Sequence, residues 1–258
     1  MKKSLTNERK ERLAALLQLS HELGNPARPL AILGEGNTST RLTHETFLVK
    51  ASGSTLGTLG KQDVVECKAG VLLPLLDKSG LSDQEVDAAL MDSRVDARAK
   101  KPSVEALFHA WFLMLPGIEF VGHTHAPCVN GVLCSPRARE FAEKRVFPDE
   151  IVCCDVESVF VPYTDPGLRL AQVIREETEG FIRKYGRPPR VVLLESHGII
   201  TIGRTAEAVR AAMLMAEKAA AIWLGAAALG GPKCLTAENT ARIASRPDEA
   251  VRRKVLKM

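Results

Sequence analysis

No Cys-x-x-Cys pair occurs in this 258-residue chain, although it holds six cysteines, at positions 67, 128, 134, 153, 154 and 234. That spacing leaves the common zinc-knuckle and thiol-redox motifs without a basis. Apolar runs of about 18 residues are also missing, so no membrane-spanning helix is expected. The first ten residues, Met-Lys-Lys-Ser-Leu-Thr-Asn-Glu-Arg-Lys, carry no apolar stretch of the kind an export signal uses. Reduced thiols in a cytoplasmic protein are the resulting expectation. There is no Walker A loop, and no G-x-G-x-x-G turn follows a strand, so nucleotide and dinucleotide binding lack support. Aromatic residues are scarce, with two Tyr and two Trp. No basic stripe interleaved with aromatics exists, which argues against nucleic acid as a partner. The net charge of +4 reflects basic ends, Lys2, Lys3, Arg9 and Lys10 and then Arg252, Arg253, Lys254 and Lys257, which read as solvated tails.

What remains is an ordinary globular composition, 45% hydrophobic and 26% charged, enough for one large core. No linker, repeat or low-complexity stretch divides it. One domain is expected over residues 1–258, with a core at about 5–228 and a C-terminal extension over 229–258. The leucines at 13, 16 and 17 predict an amphipathic helix from Leu5 to Leu23, stopped by Gly24-Asn25-Pro26. Turn chemistry from Leu33 to Arg41 opens into a strand, and Thr46–Ala51 reads as another. Residues 63–76 and 82–91 read as mixed or helical. Lys101-Pro102-Ser103 opens a helix over Val104–Leu115, with Ser103 as its N-cap. Apolar Ile118–Val121 follows as a buried strand. Further strands are expected near Glu150–Cys154, Ser158–Val161, Arg190–Leu194 and Ile199–Ile202. Helices are expected over Leu168–Tyr185 and from Thr205 to about Ala228, and residues 236–258 as a polar, basic helix. The alternation indicates an α/β or mixed α+β fold.

Three of the six histidines concentrate the chemistry. His123 and His125 stand in Phe-Val-Gly-His-Thr-His-Ala, at the end of the Ile118–Val121 strand. Residues i and i+2 of a strand share a face, so the two imidazoles lie side by side. A bare His-x-His pair is often structural, but His197, in Glu-Ser-His-Gly at the end of a second apolar strand, supplies a third nitrogen. Three protein ligands and one open position make a catalytic divalent-metal site. Glu105, at the start of a helix, suits a general base beside such a metal. The alternative for Glu105 is the ordinary preference for acids in a first turn. His109 shares its helix face and either orients it or fills the core. The turns Gly36-Asn37-Thr38-Ser39 and Ser52-Gly53-Ser54 offer backbone N–H groups and hydroxyls that can hold an anion, although such residues populate all turns. Asp155, Glu157 and Asp165 are further carboxylates. Tyr163 can donate a proton or pack at a strand end.

In order, the runs Gly36-Asn37-Thr38-Ser39, Lys50-Ala51-Ser52-Gly53, Pro102-Ser103-Val104-Glu105, His123-Thr124-His125 and Ser196-His197-Gly198 resemble the class II aldolase/adducin family. The resemblance spans roughly Leu5 to Gly225. From Leu33 to Gly167 it is especially similar to the aldolase half of the bifunctional rhamnulose-1-phosphate aldolase/alcohol dehydrogenases. The dehydrogenase half has no counterpart in these residues, so no nicotinamide chemistry is expected. The resemblance implies a central, mostly antiparallel sheet covered by helices on both sides, usually assembled as a homotetramer. It implies that His123, His125 and His197 bind one divalent metal, zinc first and Mn, Co or Fe otherwise, with Glu105 as acid/base and a fourth ligand when substrate is absent. Gly36, Asn37, Ser52, Gly53 and Ser103 would hold a substrate phosphate. Tyr163 would protonate the leaving aldehyde across a subunit interface. The implied reaction cleaves a ketose 1-phosphate to dihydroxyacetone phosphate and an aldehyde through a metal-stabilised enediolate. Alternatives are decarboxylation of a 3-oxo sugar-acid phosphate, 4-epimerisation of a sugar phosphate, and an adducin-like interaction module. The epimerases carry Asp at the position of Glu105, and adducin heads lack the histidines. Two positions depart from the aldolase pattern. Val104 replaces the second serine of Ser-Ser-Glu, and no Tyr follows Tyr185.

Overall fold

Side chains of successive residues in Phe120-Val121-Gly122-His123 point to opposite faces, and this run becomes the middle strand of a sheet. The computed structural model describes residues 2–257, with side chains from Asn7 to Lys257. Helix α1 (Lys2–Leu23) leads to strands β1 (Asn37–Arg41), β2 (Thr46–Lys50) and β3 (Val64–Lys68). Helices α2 (Ala69–Leu72), α3 (Asp83–Asp92) and α4 (Ala106–Met114) precede β4 (Phe120–Thr124). Then come α5 (Pro127–Leu133), α6 (Ala138–Glu143), α7 (Pro148–Cys154) and β5 (Val159–Val161). Helix α8 (Leu168–Tyr185) is followed by a hairpin of β6 (Val191–Leu194) and β7 (Gly198–Gly203), and the chain finishes with α9 (Ala206–Ala227), α10 (Ala237–Ser245) and α11 (Pro247–Val255).

The seven strands form one sheet in the order β3-β2-β1-β4-β7-β6-β5. Every pairing is antiparallel except β5 with β6. The fold is therefore mixed α/β with a mostly antiparallel sheet. Helices cover both faces because both carry apolar side chains. Phe47, Val49, Val121, Val192 and Ile200 face the layer that includes Phe108 and Phe112 of α4 and Ile174 of α8. Phe120, Leu193 and Ile199 face Leu19 and Leu23 of α1, Val129 of α5 and Met213 of α9. Helix α4 is buried on nearly every side, which explains its continuous apolar sequence. Full burial of each such large side chain stabilises by about 1.5–3 kcal/mol. No helix of the described residues is long and apolar enough to cross a membrane.

Most expected elements are present, with informative differences. Residues 148–154 form helix α7 where a strand was expected near 150–154. Pro148 in the first turn, followed by Asp149 and Glu150, is helix-start chemistry, and the apolar run Ile151–Cys154 is too short to reveal its period. The segment from Asp63 to Leu76 begins with β3, whose Val65 and Cys67 turn inward while Lys68 faces out. Residues 236–258 hold two helices, and Thr240, Ile243 and Glu249 are buried. Cys153 and Cys154 are buried free thiols.

One buried cation organises the connection between α6 and β5. Arg145, 2% exposed, donates to the carbonyls of Asp155 (2.7 Å), Ala142 (3.1 Å), Lys144 (2.8 Å) and Cys154 (3.2 Å), and to Ser158 Oγ (2.9 Å). Its guanidinium lies 3.8 Å from the buried Glu150 carboxylate. Removing the cation would orphan these acceptors together. Arg145→Met is expected to lower unfolding stability by about 3–5 kcal/mol, read by denaturant titration, and a loss below about 1 kcal/mol would contradict the assignment.

Candidate metal centre

Strand pairing brings the three histidines together. His123 lies on β4 opposite Asn37 of β1 and Ile200 of β7. His125 follows immediately after β4. His197 sits in the turn between β6 and β7, where Leu194 pairs with Gly198. In that turn the His197 N–H donates to the Leu194 carbonyl at 3.1 Å, and Ser196 takes a left-handed backbone, φ +53°. Gly198 makes the approach possible. A Cβ there would come to 2.5 Å from the Thr124 carbonyl oxygen, 3.0 Å from the His125 ring and 3.1 Å from the His123 ring. Gly36 is required in the same way, with φ +64° and a virtual Cβ 2.5 Å from the His123 carbonyl.

The three rings stand 5.0–5.1 Å apart, centroid to centroid. One nitrogen of each lies within 4.8 Å of the others. His123 Nε2 and His125 Nε2 are 3.2 Å apart. The Glu105 carboxylate reaches 3.6 Å from both His123 Nε2 and His197 Nε2. Two ligands bonded at about 2.1 Å to one tetrahedral ion lie about 3.4 Å from each other. The donor set therefore fits a single divalent ion.

The remaining ring nitrogens are treated differently. His123 Nδ1–H donates to the Ile199 carbonyl at 3.0 Å, which leaves Nε2 as the free lone pair. His125 Nδ1 stands 3.7 Å from Glu35 Oε1. His197 Nδ1 is buried and has no hydrogen-bond partner among the described residues. Burial, reinforced by His125, pushes the His123 imidazole down to about 3. Burial and the neighbouring His123 push His197 down to about 4. Both are neutral near pH 7, the form that binds metal.

Glu105 is held from the other side. Helix α4 begins at Ala106, so Glu105 occupies the cap position and Ser103 does not. Ser103 instead closes the preceding turn, its Oγ accepting from the Glu105 N–H at 3.3 Å. Asn37 Nδ2 donates to Glu105 Oε2 at 2.5 Å and to Ser103 Oγ at 3.3 Å. Asn37 Oδ1 meets His109 Nε2. A carbonyl oxygen cannot donate, so the proton sits on His109 Nε2, and Nδ1 accepts from Ser39 Oγ at 2.6 Å. His109 is fully buried, and burial drives its imidazole well below the ordinary range. It orients Glu105 indirectly, by fixing which end of the Asn37 amide faces the carboxylate.

The two anion-suited turns converge on the same region. The Ser52 N–H donates to the Lys101 carbonyl at 2.9 Å, and the Ser103 N–H to the Lys50 carbonyl at 3.2 Å. Gly53 takes φ +75°. Gly36 and Asn37 abut His123 from the other side. The Tyr163 hydroxyl makes no hydrogen bond to this cluster among the described residues. The side chain is 58% exposed, and the hydroxyl donates to Asp165 Oδ1 at 2.9 Å, which pushes the phenol up. Asp155 pairs with Arg187 and Glu157 with Lys184, so neither joins the histidines. Sequence reasoning gave no separate role to Ser39, which bonds His109, or to Glu35 beside His125. Ser39 was within reach, because it is two residues from Asn37 on one strand face. Glu35 depends on the fold of a loop.

A protein-family model described as the class II aldolase and adducin N-terminal domain matches residues 14–224. The chain belongs to the class II aldolase/adducin family. Over 182 residues it is 30% identical to the uncharacterized oxidoreductase YuxG of Bacillus subtilis, which covers 67% of this chain and 24% of that protein. The chain thus spans about a quarter of that relative's length. Among solved structures, the N-terminal class II aldolase domain of a conserved Thermoplasma acidophilum protein is 23% identical, with TM-score 0.66 over 81% of this chain and 92% of that one. YgbL of Escherichia coli, a putative aldolase/epimerase/decarboxylase, is 21% identical, with TM-score 0.67 over 92% and 99%. An L-fuculose 1-phosphate aldolase is 18% identical, with TM-score 0.68 over 91% and 94%. At these identities the structural matches establish the shared fold.

Two measurements test this geometry. Gly198→Ala should weaken divalent-metal affinity by about 10–100-fold, read by titration with a chromogenic chelator, because the methyl displaces two of the rings. An unchanged affinity would refute the close-approach argument. The depressed imidazoles also fix a pH window. In the unfolded chain each histidine protonates near 6.5, whereas folded His123 waits until about 3 and His197 until about 4. As pH falls below about 6.5 the unfolded state takes up the protons, and the metal-free protein loses about 1.4 kcal/mol per pH unit for each such imidazole. Its Tm should drop steadily from about pH 7 to about pH 5, and less steeply in His123→Gln. A flat profile in the parent protein would rule the window out.

Proposed function

We propose that this chain is a divalent-metal-dependent aldolase, a carbon–carbon lyase that cleaves a ketose 1-phosphate into dihydroxyacetone phosphate and an aldehyde. The observation that carries the reading is the position of Glu105, 3.6 Å from two ring nitrogens of the histidine cluster and bonded to Asn37 of the adjoining turn. A metal-binding set, a carboxylate and an anion-suited turn thus meet at one place. His123, His125 and His197 would hold the ion, with Glu105 as a fourth ligand in the absence of substrate. Zinc suits three imidazoles best, and Mn, Co or Fe also suit such donors. The bound ion would supply Lewis-acid stabilisation of negative charge on the substrate oxygens. Gly36, Asn37, Ser52, Gly53 and Ser103 would bind the phosphate. Glu105 would hold the proton exchanged at the carbon next to the carbonyl, the carbon freed when the C–C bond breaks. Asn37, locked by His109, would keep the carboxylate aimed at that carbon.

Tyr163 would exchange the proton of the hydroxyl that becomes the aldehyde oxygen, taking it up as the C–C bond breaks and returning it in the condensation direction. Its exposure, and the lack of a hydrogen bond from its hydroxyl to the cluster of its own chain among the described residues, support a site shared between subunits, as in a homotetramer. The six free cysteines suit a reducing compartment, the cytoplasm.

The same residues can serve decarboxylation of a 3-oxo sugar-acid phosphate, since both reactions leave an electron pair beside a carbonyl. Condensation assays separate the two. Dihydroxyacetone phosphate with a panel of aldehydes should give product. Failure with every aldehyde, together with CO₂ release from a 3-oxo acid phosphate, would replace the aldolase reading with the decarboxylase. Metal analysis addresses the adducin-like module, which predicts no stoichiometric ion. Glu105→Gln is expected to retain the metal and lose about 10²–10⁴-fold in turnover. A variant that keeps near-parental turnover would remove Glu105 from its role.

A further inference from the structure

The turn that carries His197 is docked on helix α5 by two hydrogen bonds. The Ser196 N–H donates to the Leu133 carbonyl at 3.3 Å, and Asn130 Nδ2 donates to the His197 carbonyl at 3.0 Å. Helix α5 is itself pinned, because the Cys128 and Val129 N–H groups donate to the Glu217 carboxylate of α9 at 3.1 and 3.0 Å. Asn130 therefore reaches the turn from a fixed support.

The Nδ2 contact decides the orientation of the amide. A carbonyl can only accept, so Nδ2 faces His197 and Oδ1 is the remaining end. That Oδ1 is buried and meets no donor among the described residues. His197 Nδ1 is likewise buried without a partner among them. A neutral imidazole that offers Nε2 to a metal carries its proton on Nδ1. One buried N–H thus lacks an acceptor, one buried carbonyl oxygen lacks a donor, and both belong to residues already joined by a bond. Buried polar groups are costly when left unpaired, so each is the natural partner of the other. The other two ring systems show what His197 lacks. His123 Nδ1–H has the Ile199 carbonyl at 3.0 Å, and His125 Nδ1 faces Glu35 Oε1 at 3.7 Å.

We propose that Asn130 is the positioning residue of His197, and that in the metal-loaded protein its Oδ1 accepts the His197 Nδ1–H while its Nδ2 keeps the main-chain carbonyl. One amide then holds the histidine by both ring and backbone, and fixes the tautomer that leaves Nε2 as the ligand atom. This rests on the reading of the three histidines as a metal set and adds the residue that aims the third of them.

Nuclear magnetic resonance of the zinc-loaded protein, with nitrogen-labelled histidine, tests this. The parent should show a His197 Nδ1–H resonance protected from solvent exchange. Asn130→Asp removes the donor to the His197 carbonyl but keeps an acceptor for the ring, so it should retain that resonance. Asn130→Leu removes both, so it should lose the protected resonance, and its zinc affinity, read by competition with a chromogenic chelator, should fall about 10–100-fold. Loss of the resonance in Asn130→Asp would overturn the proposal and leave Asn130 as a tie to the backbone alone, and this comparison stands even if Asn130→Leu fails to fold. A protected resonance in folded Asn130→Leu, or none in the zinc-loaded parent, would overturn it as well. A parent that takes up no zinc would instead overturn the metal reading on which it rests.

Discussion

The antiparallel pairing of β4 with β7 is the constraint from which the rest of the site follows. It places Gly198 beside Thr124, and only a residue without a Cβ fits there. That contact lets the turn after β6 carry His197 onto the rings of His123 and His125. On its other edge β4 pairs with β1, which sets Asn37 opposite His123. Glu105 then reaches the cluster from α4 because Asn37 bonds to it. Each later contact presupposes the earlier one, so two strand registers fix the positions of five side chains.

The polar residues of the site would be a liability elsewhere in the fold. Ser39, Asn37, His109 and His123 are all buried between apolar layers. They are tolerated because each donor meets an acceptor in one directed chain, from the Ser39 hydroxyl through His109 and the Asn37 amide to the Glu105 carboxylate. Such a chain has a single consistent set of proton positions. It makes the Asn37 amide present its donors, not its acceptor, to Glu105.

Much of this was legible in the residues themselves. His-x-His after an apolar run, and His-Gly at the start of another, pointed to three nitrogens converging. The long helices and the central strands were written in their periodicity. The layout failed where the signal was short or non-local. Four apolar residues before Asp155 could not show whether they were strand or helix, and Pro148 decided in favour of helix. Ser103 looked like a cap, yet the helix starts three residues later. Glu35 near His125 gave no sign, because the loop that places it beside the ring exists only in the fold.

The histidines come from chain segments about 70 residues apart, joined through the centre of a largely antiparallel sheet. Contacts of that sequence separation form late and only once the topology is right. The three-nitrogen set is complete only where β4 and β7 are paired. The same separation means that a captured ion would act as a cross-link between distant parts of the chain, raising the barrier to opening the sheet at its middle.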